Sequence, residues 1–518
     1  EGLKQYKPAG RAFEASLAAA PQWRQADETL LALATVLREQ DKIAEAQTRL
    51  RELIKRFPNS RVLDSAHYRL AENAYTTDDY KTAAAEYRAV LEGWPKSNLA
   101  PHARYGLGWT EYRLGDLAAA AKTLDALIDS KPADELLPRA RYVRAAVRQG
   151  LKQYKPAIDD LQAFLASKSA GGDERADARY LLGVCQAAAD EPDKAADTLS
   201  KLLTDEPKYP SADKVLNELA WVLKGQGKAK EAAETFERLA KQYPQSPLSA
   251  EALYYLGQYQ FEHEDFGRAA ANFQAAMQKG VGGAVAESAI HMLGWACFRQ
   301  AKYAQAREMF DLQLKQFPSG ELASDAAYME AESLFKLGNY ADALPLYEQV
   351  KSPKAAGLLV LAKLHAGQAA AQLKQWPRSQ ALLEQAAKID PNSEYLPEIL
   401  YEQAWAKQNQ DATDEALALY QRVTEATGNE VAARARFMIG EIHFEKKDFQ
   451  QAITDFIAVS DVYPYPQWQA AALYEAGRCF EVRGQREQAR KSYQELLDKH
   501  PSSDQSGLAK ERLAALGG

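Results

Sequence analysis

The side chains able to carry chemistry fall into two groups, one scattered and one ordered. Seven histidines lie far apart along the 518 residues, and no CxxC or Cys/His cluster has the spacing of a zinc site. His263-Glu264 begins like a metalloprotease helix but lacks a second histidine at the required spacing. Nucleophile elbows, phosphate loops and dinucleotide fingerprints are also missing, so no catalytic residue, metal or cofactor is expected and the chain does not read as an enzyme. Cys185, Cys297 and Cys479 sit alone in apolar helical patterns and read as small buried hydrophobes. The ordered group is aromatic, and its chemistry is adhesion: rings that anchor a partner through apolar and stacking contacts. One row holds Tyr68, Tyr105, Tyr142, Tyr180, Tyr254, Tyr328, Tyr401 and Tyr474, with Phe437 in the same register. A second holds Trp109, Trp221, Trp295 and Trp405, half of all the tryptophans. A third holds Tyr75, Tyr112, Phe261, Phe298, Phe335 and Phe444.

These rows must be positioned by a repeating element. Alanine followed four residues later by a large apolar residue recurs from Ala9/Phe13 through Ala46/Leu50 and Ala83/Tyr87 to Ala489/Tyr493, with Ser379/Leu383 the one serine variant. The fourteen occurrences are spaced by 36 to 38 residues. Twelve residues before each, from the second onward, stands Gly or Ala, for example Gly108, Gly294 and Gly440. Twelve residues after, proline stands in ten of fourteen cases. Elsewhere Gly171-Gly172, the glycines of 280–283, Pro353 and Gly428-Asn429 supply the break. The physical reading is a pair of helices per unit. They cross where only a small residue lets the backbones approach, a large residue fills the adjacent gap, and proline ends the second helix.

The three aromatic rows lie three before, one after and four after the small residue of each first helix. This i, i+4, i+7 spacing forms one stripe, apart from the packing stripe. For the tyrosines the structural alternative is a seam that glues neighbouring first helices. Tryptophan at only four units fits a uniform structural need less well.

The small residue, the Ala/aromatic pair and the terminal proline resemble the tetratricopeptide repeat over essentially the whole chain. The string YPQSPLSAEALYYLGQYQF, Tyr243 to Phe261, is similar to the bacterial envelope subtype, which includes the Tol-Pal coordinator protein and outer-membrane assembly lipoproteins. The resemblance implies an all-α helix-turn-helix solenoid, wound as a right-handed superhelix with first helices lining its concave wall. It would hold about 13 full repeats over 22–503, a second-helix half repeat over 1–21 and a terminal first helix over 504–518 that caps it. The recurrence of GLKQYKPA at Gly2 and Gly150 suggests block duplication. The half-repeat start suggests a cut from a longer chain.

Acidic and basic residues, 71 and 64, are interspersed and leave a net charge of -7, which disfavours nucleic acid as a partner. No apolar run approaches the ~18 residues of a membrane span, and Glu1 to Ala9 is no signal peptide. The expected function is a non-enzymatic scaffold holding protein segments, as peptide or helix, along the aromatic groove, with self-association left open. Mixed charge beside the rings argues against a ligand of one sign, and Tyr with Trp, Glu or Gln at the groove positions excludes a Lys/Asn carboxylate clamp over most of the chain. A glycan-binding module and an accessory region of a larger enzyme are the alternatives. The resemblance favours the periplasm or envelope, with the cytoplasm as the alternative.

Overall fold

The structure, a computed structural model, describes residues 6–167, 171–280, 283–351 and 356–517. These residues form 28 α-helices, from Tyr6–Ala19 to Ser506–Leu516, and no strand occurs among them. Pro353 and the start of the GLKQYKPA segment, residues 2–5, lie outside the described residues. The helices group into two compact units, residues 1–252 and 253–518. Within each unit, successive helices pack as antiparallel neighbours joined by short turns, which is the layer arrangement the repeated apolar stripe demands.

The crossing rule is visible atom by atom. A Cβ added to Gly108 would sit 2.7 Å from Leu124, and one on Gly183 2.5 Å from Leu199. In the second unit the same addition at Gly294 would meet the Phe310 ring at 2.7 Å, and at Gly477 the Tyr493 ring at 2.4 Å. The large residue sixteen positions later therefore occupies the space a side chain would need, and the helix pair closes on it. Ala46, Leu50, Ala306, Phe310, Ala489 and Tyr493 are all fully buried at these crossings.

The turn between the two helices of a pair has its own rule. Seven residues past each crossing residue stands one in the left-handed region: Asp41, Asp78, Gly115, Lys152, Asp190, Gly227, Glu264, Ala301, Gly338, Lys374, Asp411, Lys447 and Gly484. The next residue's N–H reaches back to a carbonyl five positions earlier, as in Lys42 to Leu37 at 2.9 Å and Lys302 to Cys297 at 3.0 Å. This is the Schellman closure, which satisfies helix-end carbonyls at the cost of a strained backbone where the residue is not glycine. Asp79, Asp116, Asp265 and Asp448 then cap the second helix by accepting from a backbone N–H three residues on.

Successive pairs are fastened by a serine clip two residues past the proline. Ser60, Ser97 and Ser246 each donate to an aspartate 33 residues earlier, Asp27, Asp64 and Asp213, all at 2.6 Å. Where the serine position is Gly320, the acid is Glu287. Its longer side chain fills the vacated space and accepts from the Leu322 N–H at 3.2 Å.

Candidate functional site

The tyrosine row packs chiefly within its own repeat. Its rings meet the large ring of the following second helix: Tyr68 with Tyr87, Tyr254 with Phe273, Tyr328 with Tyr347, Tyr401 with Tyr420, Phe437 with Phe456 and Tyr474 with Tyr493. Centroids lie 5.3–5.9 Å apart. Tyr142 finds Phe164 at 5.3 Å instead, while Tyr105 and Tyr180 lie against clusters containing Leu124 and Leu199. Contacts with the next first helix, the expected seam, accompany this packing. One instance is Tyr328, whose hydroxyl lies 3.0 Å from His365 Nδ1 of the next first helix. Burial pushes the phenols of Tyr142 and Tyr180 up to about 12. Tyr254 and Tyr401 are only 7% exposed, so their rings have little face to offer a ligand.

The third row closes the intra-repeat turn. Tyr75, Phe261, Phe298, Phe335 and Phe444 meet the first residue of the next helix edge-on, at Tyr80, Phe266, Tyr303, Tyr340 and Phe449, with centroids 5.0–5.4 Å apart.

The four tryptophans share a register and differ in surroundings. Trp221 stands edge-on to Phe236 at 5.9 Å with the Lys224 ammonium 5.0 Å from its centroid. Trp295 is tied down: its Nε1–H is shared between His291 Nε2 at 3.0 Å and Asp325 Oδ2 at 3.3 Å. His291, 7% exposed, turns its Nδ1 to Gln313 Oε1 at 3.0 Å. Trp405 is the most exposed of the four, at 36%. Trp109 donates to the Tyr105 hydroxyl at 2.9 Å and borders an open cleft of about 280 Å³.

That cleft is where the structure gathers predicted residues into one place. Tyr68 and Tyr75 come from the helix Leu63–Thr76, and Tyr105 and Trp109 from the helix Ala100–Arg113. Arg38, Glu72, Thr76, Tyr87, His102 and Gly106 complete its lining. Arg38 donates to Glu72 at 2.8 Å. Burial first, and the Glu72 carboxylate second, push the Tyr68 phenol up to about 12. The rings of Tyr142, Tyr180, Tyr254, Tyr328, Tyr401, Phe298, Trp221, Trp295 and Trp405 are not part of this cleft.

Sequence reasoning missed Gly106 and Tyr87. A Cβ on Gly106 would lie 2.4 Å from Tyr87 Cζ and 2.7 Å from its hydroxyl. The doublet Gly106–Gly108 was the available signal: the second glycine serves the crossing, and the first clears space for the Tyr87 ring to reach the cleft.

The remaining reactive groups are quiet. Burial pushes the Cys185 thiol up to about 11 and Cys479 to about 12, and raises Cys297, so none is held as the reactive thiolate. Among the described residues no three His, Cys, Asp or Glu side chains gather as a metal site, and no helix is long and apolar enough to cross a membrane.

Comparison with known proteins fits this architecture. One family model described as tetratricopeptide repeat matches residues 31–98, 68–135, 142–213, 217–282, 291–357 and 401–465, and a second of the same description matches 471–503. The chain belongs to the tetratricopeptide-repeat family. Members of this family bind peptides or proteins. No protein of curated function matches the chain. Solved structures similar to this tetratricopeptide-repeat chain include the APC/C hetero-tetramer Cut9-Hcn1, at 15% identity over 95% of this chain and 96% of that one, with a TM-score of 0.34. A tetratricopeptide repeat protein from Parabacteroides merdae ATCC 43184 is 17% identical over 52% of this chain and 99% of its own, with a TM-score of 0.37. YrrB, a TPR protein with an unusual peptide-binding site, is 17% identical over 38% of this chain and 94% of its own, with a TM-score of 0.32.

Proposed function

We propose that this tetratricopeptide-repeat chain is a non-enzymatic scaffold that holds protein segments against first-helix rings, within a bacterial envelope assembly. The observation that carries the reading is the cleft beside Trp109. There, two successive first helices present Tyr68, Tyr75, Tyr105 and Trp109 around one open space, with polar tips at its edge. Aromatic side chains of this kind supply contact area at low entropic cost and dominate interface energies. The 37-residue period and the segment Tyr243 to Phe261 support the envelope setting through their likeness to that subtype. Glycan binding is the weaker reading, because stacked sugars need exposed carboxylates or amides beside the rings, the cleft lining holds no Asn or Gln, and its one carboxylate, Glu72, is already paired with Arg38.

Panning a random peptide library against the intact chain, alongside soluble cell-wall glycans, tests this. Enrichment of peptides whose binding is lost on Trp109→Ala is the expected result. Retention of glycans alone, or peptide binding indifferent to Trp109 and Trp405, would overturn it.

A further inference from the structure

We infer that the joint at Trp295 is a proton-operated latch. When His291 takes up a second proton, a direct ion pair with Asp325 ties the helix Gly283–Arg299 to the helix Ala323–Lys336, and loss of that proton loosens the tie. The latch belongs to the second unit and does not depend on what the chain binds.

Hydrogen bonding fixes one proton of the imidazole. Glu287, His291 and Trp295 stand four residues apart on one face of their helix, and Gln313 reaches this face from the helix Tyr303–Gln316. Glu287 Oε1 accepts from the Leu322 N–H at 3.2 Å, so the Gln313 amide turns its NH2 to that oxygen, at 3.3 Å. Gln313 Oε1 then faces His291 Nδ1 at 3.0 Å, and that nitrogen must carry hydrogen. Gln313 is fully enclosed, and Glu287 and His291 are buried, so solvent offers these atoms few other partners.

The state changes at the other nitrogen. His291 Nε2 lies 3.0 Å from Asp325 Oδ2 and 3.0 Å from Trp295 Nε1, and the indole nitrogen is 3.3 Å from the same oxygen. In neutral imidazole the Nε2 lone pair faces the carboxylate, and the indole N–H is divided between two acceptors. With Nε2 protonated, His291 and Trp295 both donate to Asp325. Opposite charges then adjoin where little water screens them, which makes the added bond a strong one.

The groups packed around His291 leave Asp325 as its direct charge partner. The helix Tyr303–Gln316 lays Phe310 against the ring, centroids 5.7 Å apart, and buries Ala306, Phe310 and Gln313. Its Lys315 pairs with Asp311, and its Arg307 with Glu330. The helix Phe266–Gln278 buries Ala269, Phe273 and Ala276. Tyr254 of the preceding first helix bonds to Ser288. Farther along Ala323–Lys336, Tyr328 and Glu332 meet His365, and Lys336 lies beside Glu332.

Hydrogen exchange of the full chain, read by mass spectrometry at about pH 5 and about pH 8, tests the latch. These conditions bracket the ordinary titration of imidazole, and protection is corrected for the intrinsic rate at each pH. Peptides from 323–336 are compared with peptides from 212–225, a helix without histidine. Relative protection of 323–336 should be about threefold to tenfold higher at the lower pH, tenfold being the effect of one unit of differential proton affinity. Asp325→Asn keeps an oxygen for the Trp295 N–H and removes the charge. It should erase more than half of the difference, as should His291→Gln, the rest being left to His365 at the far end of the same helix. His67→Gln, in the first unit, should change nothing. Glu402 and Glu441, pushed up to about 7, titrate in the same range, so the local readout decides rather than a global melt.

A folded wild-type chain whose 323–336 protection ignores pH overturns the latch. So does a difference of which half or more survives Asp325→Asn. Circular dichroism identifies a variant that fails to fold. If buried His291→Gln does, Asp325→Asn decides, since that side chain is 34% exposed.

Discussion

Trp109 and Trp295 occupy the same register, one residue past a crossing glycine, yet the two regions use them differently. At Trp109 the indole N–H is satisfied within its own helix by Tyr105, and the ring borders an open cleft. At Trp295 the N–H is spent on His291 and on Asp325, which belongs to the following first helix, Ala323–Lys336. The first tryptophan keeps a side on open space. The second is part of the joint between repeats. Position in the repeat therefore sets where an aromatic ring stands, and the neighbours decide whether it is available.

The largest expected effect tests what the two regions share. Gly294→Ala and Gly108→Ala should each lower stability by about 1–3 kcal/mol, the usual cost of overpacking a closed contact. The rigid Phe310 ring should make Gly294 the worse of the two, since Leu124 can change rotamer. Equal, negligible losses in denaturant melts would mean the crossings are looser than the structure shows.

The next prediction breaks the comparison directly. Trp295→Phe leaves the buried His291 Nε2 and the partly exposed Asp325 carboxylate without their shared donor and should cost about 1–2 kcal/mol. Trp109→Phe exposes the Tyr105 hydroxyl to cleft water and should cost no more than about 0.5 kcal/mol by the same measurement. Reversed sizes would move Trp109 into the structural class.

A pH series sharpens the contrast between the units. In the second unit, burial first and the Glu398 carboxylate next push Glu402 up to about 7, and burial with Glu475 does the same to Glu441. An acid whose folded value lies above its unfolded one favours the fold fully at low pH, and that contribution fades as pH rises from about 4.5 through about 7. Glu402→Gln should therefore melt about one to two degrees above wild type at pH 8 and match it at pH 4, on the order of 1 kcal/mol. The opposite ordering would show that Arg434 and Gln368 hold the carboxylate charged.

The smallest effect concerns the turns. Ala301 adopts φ of 56°, where a Cβ is strained. Ala301→Gly should gain about 0.5 kcal/mol in thermal melts, the strain relieved less glycine's entropy. No comparable gain is expected at Gly115 or Gly338, which already carry glycine there.

Much of the fold was legible because close packing punishes error at fixed places. Only Gly, Ala or Ser fits a crossing, so Gly108, Gly294 and Gly440 stand out at their 36 to 38 residue spacing. The left-handed turn residues escaped notice although their spacing is just as regular. Asp, Lys, Glu, Ala and Gly all occur there, because backbone hydrogen bonding imposes the conformation and the side chain points to water. The serine clip was hidden for a related reason: Ser60 with Asp27 and Gly320 with Glu287 fill one space by different residue pairs. At the candidate site the rings of Tyr68, Tyr105 and Trp109 were legible as a stripe. Arg38, Tyr87 and Gly106 were not, because they reach the cleft from other helices or by leaving a space.

The sequence by itself determined the helix pair, its period and the aromatic register, since each follows from which residues fit at a recurring distance along one chain. Only the tertiary structure decided that Tyr254 and Tyr401 are packed against second-helix rings, that Trp295 is bound into a joint, and that Trp109 borders a cleft. The physical reason is that exposure depends on what neighbouring repeats bring to the same place. His291, Asp325 and Tyr87 lie outside the rows that periodicity makes visible, and they settle which rings remain open.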